Sequence, residues 1–351
     1  MVNHRQIENL LKGNRDALFS EADAQRSHHC GDGVHIRGII EFSNVCSRNC
    51  AYCGLRRDNT TLKRFTLTRE EILTTVALAE KSGVRTVVLQ SGENDTVRDE
   101  WLAETIKAVK DRFDVAVTLS VGVKSRDCYA LWRQAGADRY LLKHEAANVS
   151  LYNTFHPDSQ LDDRISALRN LQLLRYQIGT GNIVGLPGQS PTDLAADILL
   201  AHTLDVDMAA FGPLVPHANT PLAHTASGDL DLALRVIAAA RLILGPVHIA
   251  ATTALDAIAP DGREKALTCG ANVIMVNLTP SPYRRLYDIY PKKGQSNSVR
   301  SVQDILARLG RPTGTGYGHS LKQPKKGFFQ KRKGHQTGLG GTTQDDTASA
   351  P

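Results

Sequence analysis

Eight short apolar runs, separated by longer amphipathic stretches, restrict what this chain can fold into more than any other feature. They are 37–43 (RGIIEFS), 86–91 (TVVLQS), 115–120 (VAVTLS), 138–143 (DRYLLK), 179–184 (GTGNIV), 208–212 (MAAFG), 247–253 (VHIAATT) and 272–276 (NVIMV). Their apolarity is largely continuous rather than alternating, the mark of strands covered on both faces in a parallel sheet. The stretches between them carry helix punctuation. In 68–83 (TREEILTTVALAEKSG), Thr68 is placed to cap the N-terminus, Glu71 follows three residues on, and Gly83 supplies a stop. The stretch 229–245 (DLDLALRVIAAARLILG) has the same form. Eight strand–helix units over about 240 residues predict a single (β/α)8 barrel. An open doubly wound sheet is the second choice, but it would normally need fewer strands. Residues 1–35 are expected to form a helical N-terminal extension, 36–314 the barrel, and 315–351 a disordered basic and polar tail.

The excess charge belongs to that tail. The chain has a formal net charge of +6, and residues 322–335 (KQPKKGFFQKRKGH) contain six Lys or Arg and no acid. A nucleic-acid clamp usually spreads its cations over a folded face, so nucleic acid is not an expected partner. The tail beyond, ending TGLGGTTQDDTASAP, is too polar to bury a core. No run of about 18 apolar residues is present and the N-terminus lacks a signal peptide's apolar segment, so neither a membrane span nor export is expected. Six cysteines, three clustered and three scattered at 30, 128 and 269, do not read as a disulfide framework. A reducing cytoplasm is the expected compartment.

The clustered three are Cys46, Cys50 and Cys53 in CSRNCAYC, directly after the first predicted strand. In a barrel of this kind, chemistry sits on the loops that follow the strands. A closed zinc site needs four ligands, and His28 and His29 are separated from the loop by that strand. Cubane iron–sulfur clusters take one thiolate per iron, so three cysteines leave one iron open to a chelating amino acid. S-adenosylmethionine (SAM) presents such an amine and carboxylate beside its sulfonium. With Tyr52 immediately before the last cysteine, the loop resembles the radical SAM signature. That resemblance implies a [4Fe–4S] cluster and reductive cleavage of SAM to methionine and a 5′-deoxyadenosyl radical.

The flanking motifs narrow the resemblance. EFSNVCSRNCAYCGLRRDN, VLQSGEN, ADRYLLKHEAAN, VGLPGQ, FGPLVPHANTPL, ATTAL, GREKALTCGANVIM and TPSPYRRLYDIYP occur in order from about residue 35 to 310. They are similar to the HydE family of [FeFe]-hydrogenase maturases. Biotin synthase and methylornithine synthase share the barrel and loop but match these motifs less well. The resemblance implies action on a cysteine-bound iron carbonyl/cyanide unit, with transient contacts to other maturases and to an electron donor. Carried over by position, Tyr52, Gln90, Ser91, Gly92, Ser120, Glu145 and Arg164 would hold SAM. Arg37, Thr118, Thr252, Thr253, Tyr287 and Tyr290 would line the substrate cavity, and Ser120 would border it.

Plainer readings stand beside these. Arg164 in DDRISALRNL also reads as a surface helix charge paired with Asp162. Thr252 and Thr253 also read as strand formers, and Tyr287 and Tyr290 as packing at i, i+3. Gly185–Gly188 (GLPG) reads as a turn, since no Lys-Ser/Thr follows it. His217 is expected to shape the cavity wall, and Cys128 and Cys269 to act as small apolar groups.

Two departures matter. Some HydE proteins carry a second, peripheral cluster after the SPYR segment, but 291–306 (PKKGQSNSVRSVQDIL) has no cysteine, so one cluster is expected. Lys143 stands where the family often has arginine, and Ala146 where threonine is common, both flanking Glu145. Lysine is a point charge rather than a fork. This leaves open a related enzyme acting on another amino-acid-derived substrate, or a non-enzymatic iron–sulfur carrier.

Overall fold

The computed structural model describes residues 2–291 and 298–322. Its strands are β1 (His35–Ser43), β2 (Thr86–Ser91), β3 (Ala116–Ser120), β4 (Arg139–Leu141), β5 (Gln177–Thr180), β6 (Ile183–Val184), β7 (Met208–Ala209), β8 (Gly212–Pro213), β9 (His248–Ala251) and β10 (Val273–Asn277). Eight of them close a parallel barrel in the order β1-β10-β9-β7-β5-β4-β3-β2. This is the (β/α)8 architecture expected from the apolar runs.

The helices are α1 (His4–Lys12), α2 (Arg15–Cys30), α3 (Arg69–Lys81), α4 (Asp99–Arg112), α5 (Arg126–Ala135), α6 (Val149–Phe155), α7 (Leu161–Leu173), α8 (Pro191–Thr203), α9 (Leu230–Leu244), α10 (Thr253–Ile258), α11 (Gly262–Leu267), α12 (Ser281–Arg284) and α13 (Val299–Arg308). The α3 start is the capping box anticipated at Thr68 and Glu71. α1 and α2 form the expected N-terminal extension and bury Ile7, Leu11, Leu18 and Ala22 on the outer helical layer. Among the described residues no helix is long and apolar enough to cross a membrane.

Two runs read as single strands are each broken. GTGNIV divides into β5 and β6, and MAAFG into β7 and β8, with β6 and β8 pairing apart from the barrel. The break follows from the loop after β4. Glu145 N–H donates to the Gly181 carbonyl at 3.0 Å, and Ile183 N–H donates to the Glu145 carbonyl at 3.0 Å. The chain leaving β5 therefore pairs with that loop instead of continuing the sheet.

Residues 315–322, expected to open the tail, form part of the barrel floor. Val34 N–H donates to the Pro312 carbonyl, Gly314 N–H to the Val34 carbonyl, and the segment then crosses the strand starts. The Tyr317 carbonyl accepts from Thr86 Oγ1 and Arg139 Nη2, both at 2.7 Å. The His319 carbonyl accepts from His248 Nε2 at 2.8 Å, and the Gly318 carbonyl from Arg37 Nη2 at 3.3 Å. Buried cations at the bottom of the barrel thus find their acceptors in the chain's last described turn. The rest of the expected tail lies outside the described residues.

Candidate active site

The opposite end of the barrel opens into a cavity of about 740 Å3, lined from the ends of the strands and the loops after them. The cysteine loop leaves β1 just past a register shift between Glu41 and Ser43. Asn44 locks its entry: Oδ1 accepts from Phe65 N–H at 2.7 Å, and Nδ2 donates to the carbonyls of Lys63 and Leu286. Gly92, at the end of β2, backs the loop so closely that a Cβ there would lie 2.3 Å from the Val45 carbonyl oxygen. Only glycine fits that position.

Cys46, Cys50 and Cys53 all face the cavity. A closed zinc site would need a fourth ligand beside these three, whereas a cubane takes one thiolate per iron and leaves one iron open. Burial raises the Cys50 thiol to about 12 and carries Cys53 well above the usual thiol range, with repulsion among the cysteines adding to both. A cationic metal group is what makes thiolates of such a buried trio. The donor set fits the expected cluster.

Beside the cysteines lies a charged wall. Arg164 is 8% exposed, and its Nε donates to the Tyr152 hydroxyl at 2.8 Å while Nη1 donates to the Lys143 carbonyl at 3.0 Å. Its Nη2 lies 3.6 Å from Glu93, which also pairs with Arg48. Burial works against this guanidinium charge, but the Tyr152 hydroxyl, Glu93 and Glu145 outweigh it and its pKa is raised. The reading of Arg164 as a surface charge is thereby excluded. Lys143 Nζ sits 2.9 Å from Glu145 Oε2. Burial would raise the Glu145 carboxyl, yet Lys143 and Arg164 hold it below the usual range. Glu145 adopts φ 67°, a left-handed backbone that a side chain other than glycine or asparagine rarely takes. Such strain clusters where a side chain must point into a site.

Tyr52 hydrogen-bonds His156 Nε2 at 2.7 Å, and His156 Nδ1 lies 2.9 Å from the Tyr152 carbonyl. A carbonyl can only accept, so Nδ1 carries the proton, Nε2 is the acceptor and the Tyr52 hydroxyl donates. Burial pulls His156 down to about 4, so it is neutral through the physiological range. Its contribution to stability is complete above an unfolded pKa of about 6.5 and is lost as pH falls toward the folded value. Between pH 7 and pH 5 the protein should lose about 2 kcal/mol more than His156→Gln. Urea unfolding of both at the two pH values checks this; equal losses would place the His156 pKa near normal.

Hydroxyls from the segments after β9 and β10 also line the cavity: Thr252, Thr253, Tyr287 and Tyr290. Tyr290 and Thr253 share a hydroxyl–hydroxyl bond, and Gln90 Nε2 donates to the Tyr287 hydroxyl at 3.1 Å. Thr252 Oγ1 is buried with no hydrogen-bond partner among the described residues. Ser91, Gly92 and Ser120 also belong to the lining.

Not every expected residue arrives here. Arg37 and Thr118 lie below the cavity, around a small pocket that also touches Met208 and His248. Both sit at the third position of their strands, two residues before Ile39 and Ser120, which do line the cavity. His217 is also outside the lining: it pairs with Asp288 at 2.9 Å and packs on Gly54, bracing the cysteine loop from behind. Cys269 is buried, Cys128 donates to Asp99, and neither faces the cavity. Gly185 and Gly188 both have positive φ, as the turn reading requires. Sequence reasoning missed Arg48 and Glu41 in the lining, and Tyr152 and His156 behind it. Arg48 had a usable signal, a charge set inside the cysteine loop.

Comparison with known proteins accords with this geometry. Residues 40–201 match the Radical SAM superfamily. The chain is 47% identical over 312 residues to the [FeFe] hydrogenase maturase subunit HydE of Thermotoga maritima, covering 88% of this chain and 89% of that protein. A 3-methylornithine synthase from Methanosarcina barkeri is 27% identical over 84% of this chain and 83% of its own length. In structure, a methylornithine synthase superposes with a TM-score of 0.81 at 23% identity, covering 90% of this chain and 95% of the other, which speaks for the fold alone. With a similarity of that depth over nearly the whole of both sequences, the chain belongs to the HydE family and is a radical SAM enzyme.

Proposed function

We propose that this enzyme takes part in [FeFe]-hydrogenase maturation, acting on a cysteine-bound iron carbonyl/cyanide precursor of the H-cluster. The observation that carries the reading is a cavity that gathers the three cysteines, a set of paired charges and a set of hydroxyls, with Thr252 Oγ1 buried and unpartnered among the described residues. Family membership implies a [4Fe–4S] cluster and SAM, and Cys46, Cys50 and Cys53 would hold the cluster. A cluster held there would supply the one-electron reduction that cleaves SAM, and the radical chemistry so made available would be directed at the precursor.

The protein's part is binding and exclusion. Arg164 offers a forked cation to the SAM carboxylate, and Glu145 an anion to its ammonium or ribose hydroxyls. Gln90, Ser91, Gly92 and Ser120 border the methionine end, and Tyr52, fixed by neutral His156, closes the edge nearest the cluster. Thr252, Thr253, Tyr287 and Tyr290 present hydroxyls to a small substrate rich in acceptors, such as a carboxylate with cyanide ligands. The enclosing strands exclude water from a reagent that would take hydrogen from any near neighbour.

A single cluster completes the proposal. Cys30, Cys128 and Cys269 lie away from the cavity, and the region 291–306 has no cysteine. Within that region, residues 292–297 are outside the described residues. Contacts with another maturase that supplies the precursor and with a reducing partner belong to the same reading, as does a reducing cytoplasmic setting. The Lys143–Glu145 pair favours a second reading: a point charge beside Glu145 suits a related amino-acid-derived substrate equally well.

The test is anaerobic reconstitution, reduction and quantification of 5′-deoxyadenosine from SAM, with and without a synthetic cysteine–iron carbonyl/cyanide complex. Strong stimulation by the complex is expected. Cleavage indifferent to it would redirect the search to another substrate, and no cleavage from a verified four-iron protein would favour the carrier.

A further inference from the structure

Arg64 lies just beyond the cysteine loop and is tied to it through backbone alone. Its Nη1 donates to the carbonyls of Asn44 and Leu55, both at 2.8 Å, and its Nη2 to those of Arg56 at 2.7 Å and Asn59 at 3.2 Å. All four acceptors flank or follow the cysteines within the segment 44–59. The other arginines of the site are differently matched. Arg48 and Arg164 share the Glu93 carboxylate, while Arg56 and Arg57 pair with Asp58. Among the described residues no carboxylate lies within ion-pair distance of Arg64. The guanidinium is partly desolvated, and the ionisable groups acting on it are the thiols of Cys46 and Cys53. A fixed positive charge, held by neutral carbonyls of the cysteine loop and its flanks and paired with no acid among the described residues, thus stands beside the loop and outside the cavity lining.

We propose that Arg64 tunes the reduction potential of the cluster held by Cys46, Cys50 and Cys53, making its one-electron reduction easier. Reduction adds one negative charge at the cluster. A cation fixed nearby in a poorly screened environment stabilises the reduced form more than the oxidised form. The four carbonyl bonds keep the charge at one distance, so its effect is not averaged away by side-chain motion. Arg64 is a positioning residue here: it touches the loop and not SAM or substrate. The inference rests on the cluster being present and is independent of the identity of the substrate.

The test is a redox titration of the reconstituted full chain without SAM, following the paramagnetic signal of the reduced cluster as a low-potential chemical reductant is added. In Arg64→Met the ratio of reduced to oxidised cluster at the wild-type midpoint should fall about tenfold, a shift of about 59 mV to more negative potential for a one-electron couple. Arg64→Lys should recover most of the shift, because charge rather than the fork sets it. Arg57→Met is the control: that side chain is 55% exposed and already matched by Asp58 and Asp158, so its removal should leave the midpoint in place. Equal midpoints in wild type, Arg64→Met and Arg64→Lys at full iron content would overturn the proposal. So would a loss of iron in both Arg64 variants, which would make Arg64 a structural staple only. Absence of any reduced-cluster signal in the wild type would instead strike at the radical SAM cluster itself.

Discussion

Replacing Arg164 with methionine is expected to weaken SAM binding about 100-fold or more and to cost about 3 kcal/mol of stability. The two losses have separate origins. Methionine fills much of the same space but leaves Glu93 and Glu145 in a buried cavity with one positive partner each, Arg48 and Lys143. Removing one member of a buried ion network leaves uncompensated charge, which costs more than the network itself contributes. If Arg164 takes the SAM carboxylate as proposed, SAM binding would lose that forked donor, and a buried charged hydrogen bond of this kind carries a large share of affinity. Arg164→Lys should fall between the two, because one ammonium cannot serve the Tyr152 hydroxyl, the Lys143 carbonyl and Glu93 together. Equilibrium SAM binding to reconstituted protein and urea unfolding of the same samples provide the readouts. Unchanged SAM affinity with reduced stability would confine Arg164 to a structural role.

The second large effect lies at the other end of the barrel. A chain ending at Pro312 should be destabilised by about 5 kcal/mol relative to one ending at Lys322, which should match the full-length protein. The truncation removes the carbonyl acceptors of Arg139, Arg37, His248 and Thr86 at once. Arg139 is fully buried, and its burial already lowers it to about 10, so it has no solvent to turn to. Each stranded buried donor costs roughly 1–3 kcal/mol, more when charged. Domains of this size hold about 5–15 kcal/mol in total, so the shorter chain should be prone to aggregation. Coincident unfolding midpoints for the two truncations would show the floor contacts to be dispensable.

The barrel was legible because its strands are buried on both faces and so read as unbroken apolar runs. The cysteine loop was legible because thiolate chemistry needs those residues at that spacing, whatever surrounds them. Depth along a strand was harder to read. Arg37 and Thr118 have suitable chemistry, but each stands two residues earlier on its strand than the cavity-lining Ile39 and Ser120, about 7 Å at the usual rise per residue, around the small pocket beneath. Residue type announces what a side chain could bind, not which end of the barrel it reaches. For Arg164 it is the plain reading as a surface charge that failed, although its burial was written in the sequence. Leu161, Leu168 and Leu171 lie at −3, +4 and +7 from it, which puts the charge on the apolar stripe of α7. A cation on that stripe must be paired or functional, and here it is surrounded by acids. The barrel floor was harder to read, because the acceptors that residues 317–319 offer to Arg37, Thr86 and His248 are carbonyls, which every residue possesses, even though His319 and Ser320 also bond Arg139 and Asp207 through their side chains.

The cysteine loop is closed in part by chain made long after it. Asn44 Nδ2 donates to the Leu286 carbonyl, and Gly54 N–H donates to the Ile289 carbonyl at 3.0 Å. During synthesis the three thiols leave the ribosome more than two hundred residues before those acceptors exist, an interval of roughly ten to fifty seconds at usual elongation rates. Through that interval they belong to an open nascent segment within reach of oxidants and stray metal ions. Cluster delivery to this protein therefore has a natural order: the last turn of the barrel must be made before the site can discriminate between iron–sulfur cargo and anything else that binds thiols.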